Sequence, residues 1–282
     1  MEEYIKKATI LLEALPYIQK FTSKTFVIKF GGSIAVDRAL MESFIRDIIL
    51  LKLIGINIII VHGGGKDIDV LLNKLDIGIK FHKGYRLTDK DTMEVVEMVL
   101  SGKINKNLVA LINKFGGQAC GLSGKDGNLI SAARVSGGKV DLGFVGEVKS
   151  INKKILLALD PSFIPVIAPV SMDEEGNTLN VNADFAASAI AAELEAEKLI
   201  ILSDRDGLLN VENNLIPSTT VADIKNMIKE GIIYGGMIPK TNSCIDAVKK
   251  GVKKVHIING SIPHAVLLEI FTEKGIGTQI TD

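Results

Sequence analysis

The sequence predicts an α/β fold: an open, mainly parallel central sheet sandwiched by helices, built as two lobes with an additional helix at the N-terminus. Three observations predict it. Short β-branched runs alternate with longer stretches of helical spacing, several of those runs stop in glycine, and no Pro/Ser-rich linker, low-complexity tract or internal repeat divides the chain.

The elements follow in order. Within residues 1–24, Ile5, Ala8, Leu11, Leu12 and Leu15 form one helical stripe that ends at Pro16, ahead of the first strand, where a β/α pattern requires no helix. Such a stripe packs on its own domain or on a helix exchanged between subunits, and the residues alone leave both open. Strands are expected at Thr25–Phe30, Asn57–Val61, Phe163–Ala168, Lys198–Leu202 and Lys254–Ile258. Helices are expected over Leu40–Leu53, Thr88–Leu100, Asn182–Leu194 and Pro239–Lys250. The stretch from Gly116 to Ser150 is glycine-rich and alternating, and reads as hairpins. One sheet is expected to run through both lobes, residues 25–195 and 196–282.

Composition excludes several classes. In 282 residues, 33 Lys and Arg balance 33 Asp and Glu and 47% are hydrophobic, too apolar for a disordered chain and without the basic stripe of a nucleic-acid binder. Cys120 and Cys244 form no CxxC and no Cys/His cluster, which argues against a disulfide scaffold or thiolate zinc site and for a reducing compartment. The N-terminus opens with acids rather than the bases of a secretory signal, and the most apolar window, Ile48–Val61, is interrupted by Lys52, Gly55 and Asn57. A cytoplasmic protein without a membrane span is expected.

The common nucleotide and hydrolase signatures fail. Around Gly124-Lys125, Ala119 stands where a Walker A loop needs its first glycine and Asp126 where it needs a hydroxyl; no G-x-G-x-x-G, G-x-S-x-G or H-E-x-x-H is present. The four histidines, at 62, 82, 256 and 264, are scattered and read as structural. What remains is a pair of lysines beside glycines. Lys29 ends the first strand and leads into Gly31-Gly32, a backbone bare enough to approach an anion. Lys240 follows Gly235-Gly236-Met237 and opens a helix, so ammonium and helix N-terminus act at one point. Phosphoryl transfer is catalysed mainly by positioning and charge neutralisation, which is what two such lysines supply. Two converging ammoniums need an anion between them, and Asn180-Val-Asn182-Ala-Asp184 offers one at a helix start, where the plainer reading is an ordinary cap. Gly63-Gly64-Gly65 presents amides, and Arg86 a planar guanidinium, to an acidic substrate; taken singly, such an arginine is more often a surface ion pair.

Together, Val27-Ile-Lys29-Phe-Gly-Gly32, Val61-His-Gly-Gly-Gly65, Arg86-Leu-Thr-Asp89, Gly121-Leu-Ser-Gly-Lys-Asp126, Asn180-Val-Asn-Ala-Asp184, Leu202-Ser-Asp204 and Gly235-Gly-Met-Ile-Pro-Lys240 resemble the amino-acid kinase family, in an order that spans Phe26 to Thr281. Within it the likeness is to the members that phosphorylate the side-chain carboxylate of N-acetyl-L-glutamate with ATP in arginine biosynthesis. It implies that Lys29 and Lys240 stabilise the transferring phosphoryl group while Asp184 orients them. It further implies that Gly64, Gly65, Arg86 and Asn180 bind the acid substrate, and that Gly31 and Gly32 cradle the phosphates. Adenine falls to Ser203, Asp204, Gly207, Leu208, Gly235, Gly236 and Met237 of the C-lobe, with Mg²⁺ held by phosphates and water rather than by a protein cage. Lys66 and Leu87 depart from the proline and valine usual in the family. The Gly-Lys125-Asp126 run is left without a role in the chemistry.

The extra helix resembles that of arginine-inhibited, ring-forming hexameric members, trimers of dimers in which it interlaces subunits. That likeness makes Tyr17, Glu269 and Gly275 candidate contacts for L-arginine as inhibitor, and a PII-type signalling protein a candidate partner. Two alternatives accompany this reading: a kinase of another acidic substrate, of the aspartate, carbamate or amino-adipate type, and a non-catalytic effector-binding homologue.

Overall fold

A computed structural model describes residues 1–31, 37–82, 84–136, 138 and 140–282, with Glu3 and Lys7 described by their backbone alone. In chain order the elements are α1 (Glu2–Phe21), β1 (Thr25–Phe30), α2 (Arg38–Leu53), β2 (Asn57–His62), α3 (Gly65–Lys74), β3 (Phe81–His82), β4 (Tyr85–Arg86) and α4 (Lys90–Glu97). A π-helical segment (Met98–Ile104) leads into α5 (Asn105–Lys114), β5 (Ala119–Ser123), β6 (Ile130–Arg134), β7 (Val145–Ile151), α6 (Lys154–Ala158), β8 (Ile164–Ala168), β9 (Val170–Met172), β10 (Thr178–Val181) and α7 (Ala183–Glu193). The chain closes with β11 (Lys198–Ser203), β12 (Ser218–Thr220), α8 (Val221–Lys229), α9 (Met237–Lys249), β13 (Lys254–Asn259), α10 (Ala265–Ile270) and β14 (Thr278–Thr281).

A single sheet in the order β12-β14-β13-β11-β1-β2-β8-β5 crosses both expected lobes, and every pairing in it is parallel except β13 with β14. Successive side chains of a strand face opposite sides, so Phe26, Ile28 and Phe30 enter one core and Val27 the other. The first core is completed by α2, α5 and the π segment, the second by α7, α8 and α9. This alternation places Lys29 on the same side as α7 and α9. Burial on both faces is why the strands read as near-continuous β-branched runs.

Three expectations need correction. The stretch from Gly116 to Ser150 is not all hairpin: Ala119–Ser123 is the edge strand β5 of the main sheet, paired in parallel with β8, and only β6 and β7 form a hairpin, bulged between Ser131 and Ala132. That hairpin closes with β9 and β10 into a small four-stranded barrel, which alternation along the strands does not reveal, since it turns one face inward whether the sheet is open or closed. The first helix does not end at Pro16 but continues to Phe21. Phe21 and Tyr17 anchor it to the first core, whereas Ile5, Leu11, Leu12 and Leu15 remain exposed, Leu11 at 73%. Finally, the helix expected to end at Leu100 passes through the π turn into α5. No helix among the described residues is long and apolar enough to cross a membrane.

Candidate active site

The site assembles where β1, α7 and α9 meet. Lys29 is the fifth residue of β1. Asn182 caps α7, its Oδ1 accepting from the Asp184 amide at 2.8 Å, and this cap fixes the first turn that carries the Asp184 carboxylate. Asn182 is therefore the cap, and Asp184 stands in the first turn that it fixes. Gly236 precedes α9, whose first turn presents Lys240. The three side chains converge: Lys29 Nζ lies 3.0 Å from Asp184 Oδ1, and Lys240 Nζ donates to Asp184 Oδ2 at 2.9 Å. Each is 12–13% exposed.

Burial pushes the Asp184 carboxyl up, but the Lys29 and Lys240 ammoniums outweigh it and hold its pKa well below the usual range. Burial lowers the pKa of Lys29 despite the opposing pull of Asp184, and the Lys240 charge lowers it further. Asp184 thus contributes stability that is complete above its ordinary value of 3.8 and is lost as pH falls through its lower folded value. If catalysis needs Lys29 charged, kcat is expected to fall on the alkaline side below pH 10.5, the ordinary lysine value. A pH–rate profile checks this.

A cavity of about 270 Å³ opens beside this triad, lined among others by Lys29, Gly64, Gly65, Arg86, Asn180 and Asp184. Lys29 and Asp184 thus share one space with the residues assigned to the acid substrate, and Lys240 is joined to it through Asp184. Arg86, on β4, is buried and already engaged: Nη1 donates to Asp69 Oδ1 at 2.6 Å, Nη2 to the Gly65 carbonyl at 3.3 Å, and Cζ lies over the Phe81 ring, 4.8 Å from its centroid. It is both an ion pair and a wall of the cavity. Asn180 Nδ2 donates to Thr88 Oγ1 at 3.2 Å, and that hydroxyl donates to the Arg86 carbonyl at 2.8 Å, which ties β10 to the chain after β4. A Cβ on Gly64 would stand 2.2 Å from Ile104 Cδ1 and 2.7 Å from Leu100 Cδ2, both buried. Gly64→Ala is therefore expected to displace the loop and lower kcat/KM by about 10²-fold, read from steady-state kinetics.

At the other side, a Cβ on Gly31 would lie 3.4 Å from Lys29 Nζ, so glycine there keeps the ammonium uncovered. Gly32 lies outside the described residues. Ser203 ends β11, and the neighbouring Asp204 charge acts on Lys29. Gly207 packs against Thr278, whose Oγ1 would be 2.4 Å from an added Cβ. Leu208 is buried in the second core; its amide donates to Thr278 Oγ1 and its carbonyl accepts from Ile216. Gly235, at φ 58°, and Gly236 face open space, and Met237 packs partly on the second core. Among the described residues no three His, Cys, Asp or Glu side chains cluster to hold a metal ion.

The Gly-Lys125-Asp126 run is architectural. Asp126 Oδ2 accepts from both the amide and the hydroxyl of Ser123, and Lys125 Nζ donates to Glu97 Oε1 and Thr178 Oγ1, joining α4 to β10.

A second charged cluster lies between the end of α1 and the C-terminal segment. Glu269 Oε1 is 2.6 Å from His256 Nδ1, while Oε2 accepts from the amides of Ile276 and Gly277. Lys198 Nζ lies 3.1 Å from His256 Nε2 and over the Phe21 ring, and burial pushes its pKa down to about 8. Gly275, at φ 63°, sits where a Cβ would be 2.6 Å from Glu269 Oε2, and Tyr17 meets Phe271 edge-on. Sequence reasoning placed Tyr17, Glu269 and Gly275 here but missed Lys198 and His256, which lie in the expected strands Lys198–Leu202 and Lys254–Ile258. It also missed Asp69, His62 and Asn105. The histidine beside the triple glycine was the only signal for these three.

Residues 24–259 match the amino acid kinase family, and the chain belongs to it. At full length, it is 52% identical to the acetylglutamate kinase of Sulfurihydrogenibium sp. (strain YO3AOP1), with all of both chains covered. It is 51% identical to the acetylglutamate kinase of Aquifex aeolicus (strain VF5), covering 100% of this chain and 99% of that one. Among solved structures, N-acetylglutamate synthase from Neisseria gonorrhoeae, complexed with coenzyme A and N-acetyl-glutamate, shares the fold at a TM-score of 0.87 and 24% identity. It covers 98% of this chain, which spans 63% of that one. The smu.665 protein of Streptococcus mutans UA159 aligns at a TM-score of 0.78 and 30% identity over 91% of this chain and 98% of that one.

Proposed function

We propose that this chain, acting in the cytoplasm, transfers the γ-phosphoryl group of ATP to the side-chain carboxylate of N-acetyl-L-glutamate. The products are N-acetyl-L-glutamyl 5-phosphate and ADP, a step of arginine biosynthesis. One observation carries the reading: both ammoniums are gathered on the single Asp184 carboxylate at the wall of the cavity that Gly64, Gly65, Arg86 and Asn180 also line. The likeness to acetylglutamate kinases at about half identity over the full length supports this substrate over aspartate, carbamate or amino-adipate types.

The attacking carboxylate is already a nucleophile, so the chemistry needs no general base and no covalent phosphoenzyme. In the transition state charge spreads over the oxygens in flight, and Lys29 and Lys240 neutralise it from two elements. Asp184 holds the two lysines against their mutual repulsion. When bound, ATP supplies the phosphoryl group and Mg²⁺ neutralises its phosphates. In this reading 25–195 forms the acid-binding and dimerising lobe, 196–282 the nucleotide lobe with Ser203, Asp204, Gly207 and Gly235–Met237 at its mouth, and Gly31 and Gly32 the phosphate cradle.

The exposed stripe on α1 supports a homo-oligomer in which residues 1–24 pack on a second copy, a hexamer in the arginine-sensitive pattern. The Glu269 cluster, flanked by Tyr17 and Gly275, supports L-arginine as an inhibitor, its guanidinium matched to the Glu269 carboxylate. Titrated L-arginine is expected to inhibit, and Glu269→Gln to weaken that inhibition by about tenfold. Activity indifferent to millimolar arginine removes this part of the reading. A PII-type protein is a further candidate ligand of the assembled ring, to be tested by pull-down with the oligomer.

The substrate is tested by ADP release with hydroxylamine trapping of the acyl phosphate. One hydroxamate per ADP with N-acetyl-L-glutamate, and none with aspartate or carbamate, is expected; turnover with aspartate instead overturns the assignment. Arg86→Ala is expected to raise KM for the acid by about tenfold with kcat nearly kept, in the same assay.

A further inference from the structure

We infer that His62, locked by Asn105, is the positioning residue that aims the triple-glycine loop into the cavity. His62 is the last residue of β2, fully buried and immediately before Gly63. Its Nδ1 lies 3.0 Å from the Gly63 carbonyl and its Nε2 3.2 Å from Asn105 Nδ2.

The direction of each bond follows from the neighbours. Asn105 Nδ2 also lies 2.8 Å from the Val166 carbonyl and 3.1 Å from the Leu122 carbonyl, and its Oδ1 accepts from Lys106 Nζ. Two carbonyl acceptors and one ammonium donor leave the amide only one orientation, with its NH₂ toward the sheet. Those two carbonyls can take both Nδ2 protons, so the tautomer is set at the other ring nitrogen: the Gly63 carbonyl can only accept, which puts the proton of the neutral ring on Nδ1, and His62 Nε2, facing the Asn105 NH₂, carries none. Burial pushes the His62 pKa down to about 4, which keeps the ring neutral at working pH.

That proton has a geometric consequence. The Gly63 amide is held by the Phe30 carbonyl at 2.9 Å, and the Gly63 carbonyl is held by His62. In a planar trans peptide the C=O and the next N–H point in opposite directions. Fixing the Gly63 carbonyl on His62 therefore aims the Gly64 N–H the other way. No acceptor among the described residues takes the amides of Gly64 or Gly65, and both residues line the cavity. The π segment supports the same loop from beneath: Leu100 and Ile104 fill the space where a Gly64 side chain would be, and Asn105 follows at once, seated where a Cβ on Gly121 would be 2.1 Å from its Oδ1. A π turn carries an extra residue relative to an α turn, so reverting it would rotate Asn105 off His62.

The inference rests on the reading that these amides receive the acid substrate. Its test pairs kinetics with a measurement independent of that reading. His62→Leu keeps the bulk and removes the donor, and is expected to raise KM for N-acetyl-L-glutamate by about tenfold, leaving KM for ATP within about twofold. His62→Asn, whose Nδ2 stands two bonds from Cβ as Nδ1 does, is expected to recover most of the loss. Nitrogen-15 NMR of the wild-type imidazole is expected to show the neutral Nδ1-protonated form from pH 5 to 8. An Nε2-protonated or titrating ring, KM values for acid and ATP rising together, or no difference between the Leu and Asn variants each overturns the inference. Absence of wild-type turnover with N-acetyl-L-glutamate would sink the substrate reading, while the NMR result would still decide the His62–Asn105 geometry.

Discussion

Lys29→Ala and Lys240→Ala are each expected to lower kcat by about two decades or more, with KM for the acid substrate changing far less. The reasoning is electrostatic. The ground-state contacts of both lysines are to Asp184, at 3.0 and 2.9 Å, in a site that is mostly shielded from water. Their charges gain most where negative charge moves, and a loss confined to the transition state appears in kcat. The two effects should not add, because either deletion also leaves the remaining lysine alone with Asp184 and alters its reach. Initial-rate kinetics of both single variants and the double variant test this directly. A double variant that multiplies the two losses in full would mean that the lysines act independently.

The second large effect is expected at Asp184. Asp184→Ala leaves two neighbouring ammoniums buried without their common anion, and breaking a buried pair in this way costs roughly 3–5 kcal/mol of stability. It should also cost activity, since the lysines lose their shared anchor. Replacing all three groups by apolar residues, as Lys29→Met, Asp184→Leu and Lys240→Met together, is expected to restore much of the stability and none of the activity. Urea unfolding midpoints for the single and triple variants, beside their rates, separate the two roles. If Asp184→Ala retains both the midpoint and the rate of the parent chain, the carboxylate is not the clasp described here.

Much of this was legible because parallel strands buried on both faces leave unbroken β-branched runs, within which one charged residue stands out. Lys29 is that residue in β1, and strand alternation alone directs it to the side where α7 and α9 pack. The strand ends at Phe30, Ala168 and the start at Lys198 coincide with expectation for the same reason. What was not legible depends on partners distant in sequence. Arg86 taken singly read as an ion pair, but its partner could not be named: it is Asp69, 17 residues away. Asn105 lay beyond the helix expected to end at Leu100; the π turn before it carries its amide onto strands β2, β5 and β8. The β6–β7 hairpin was visible from its alternation, but closure into a barrel with β9 and β10 was not, because alternation along a strand does not say whether the sheet closes. Pro16 read as a stop, although α1 continues past it with the ring in its interior. Lys198 and His256 sat inside strand runs, where nothing local marks a side chain that will meet Glu269.

The central claim is spatial, and a complex with ADP, N-acetyl-L-glutamate and a planar metal-fluoride mimic of the transferring phosphoryl group tests it most directly. The expected result is a fluoride plane between the two ligands with Lys29 Nζ and Lys240 Nζ each at hydrogen-bond distance from it, about 2.7–3.2 Å. A mimic bound with either nitrogen turned away, still closed on Asp184 and out of reach, would contradict the account.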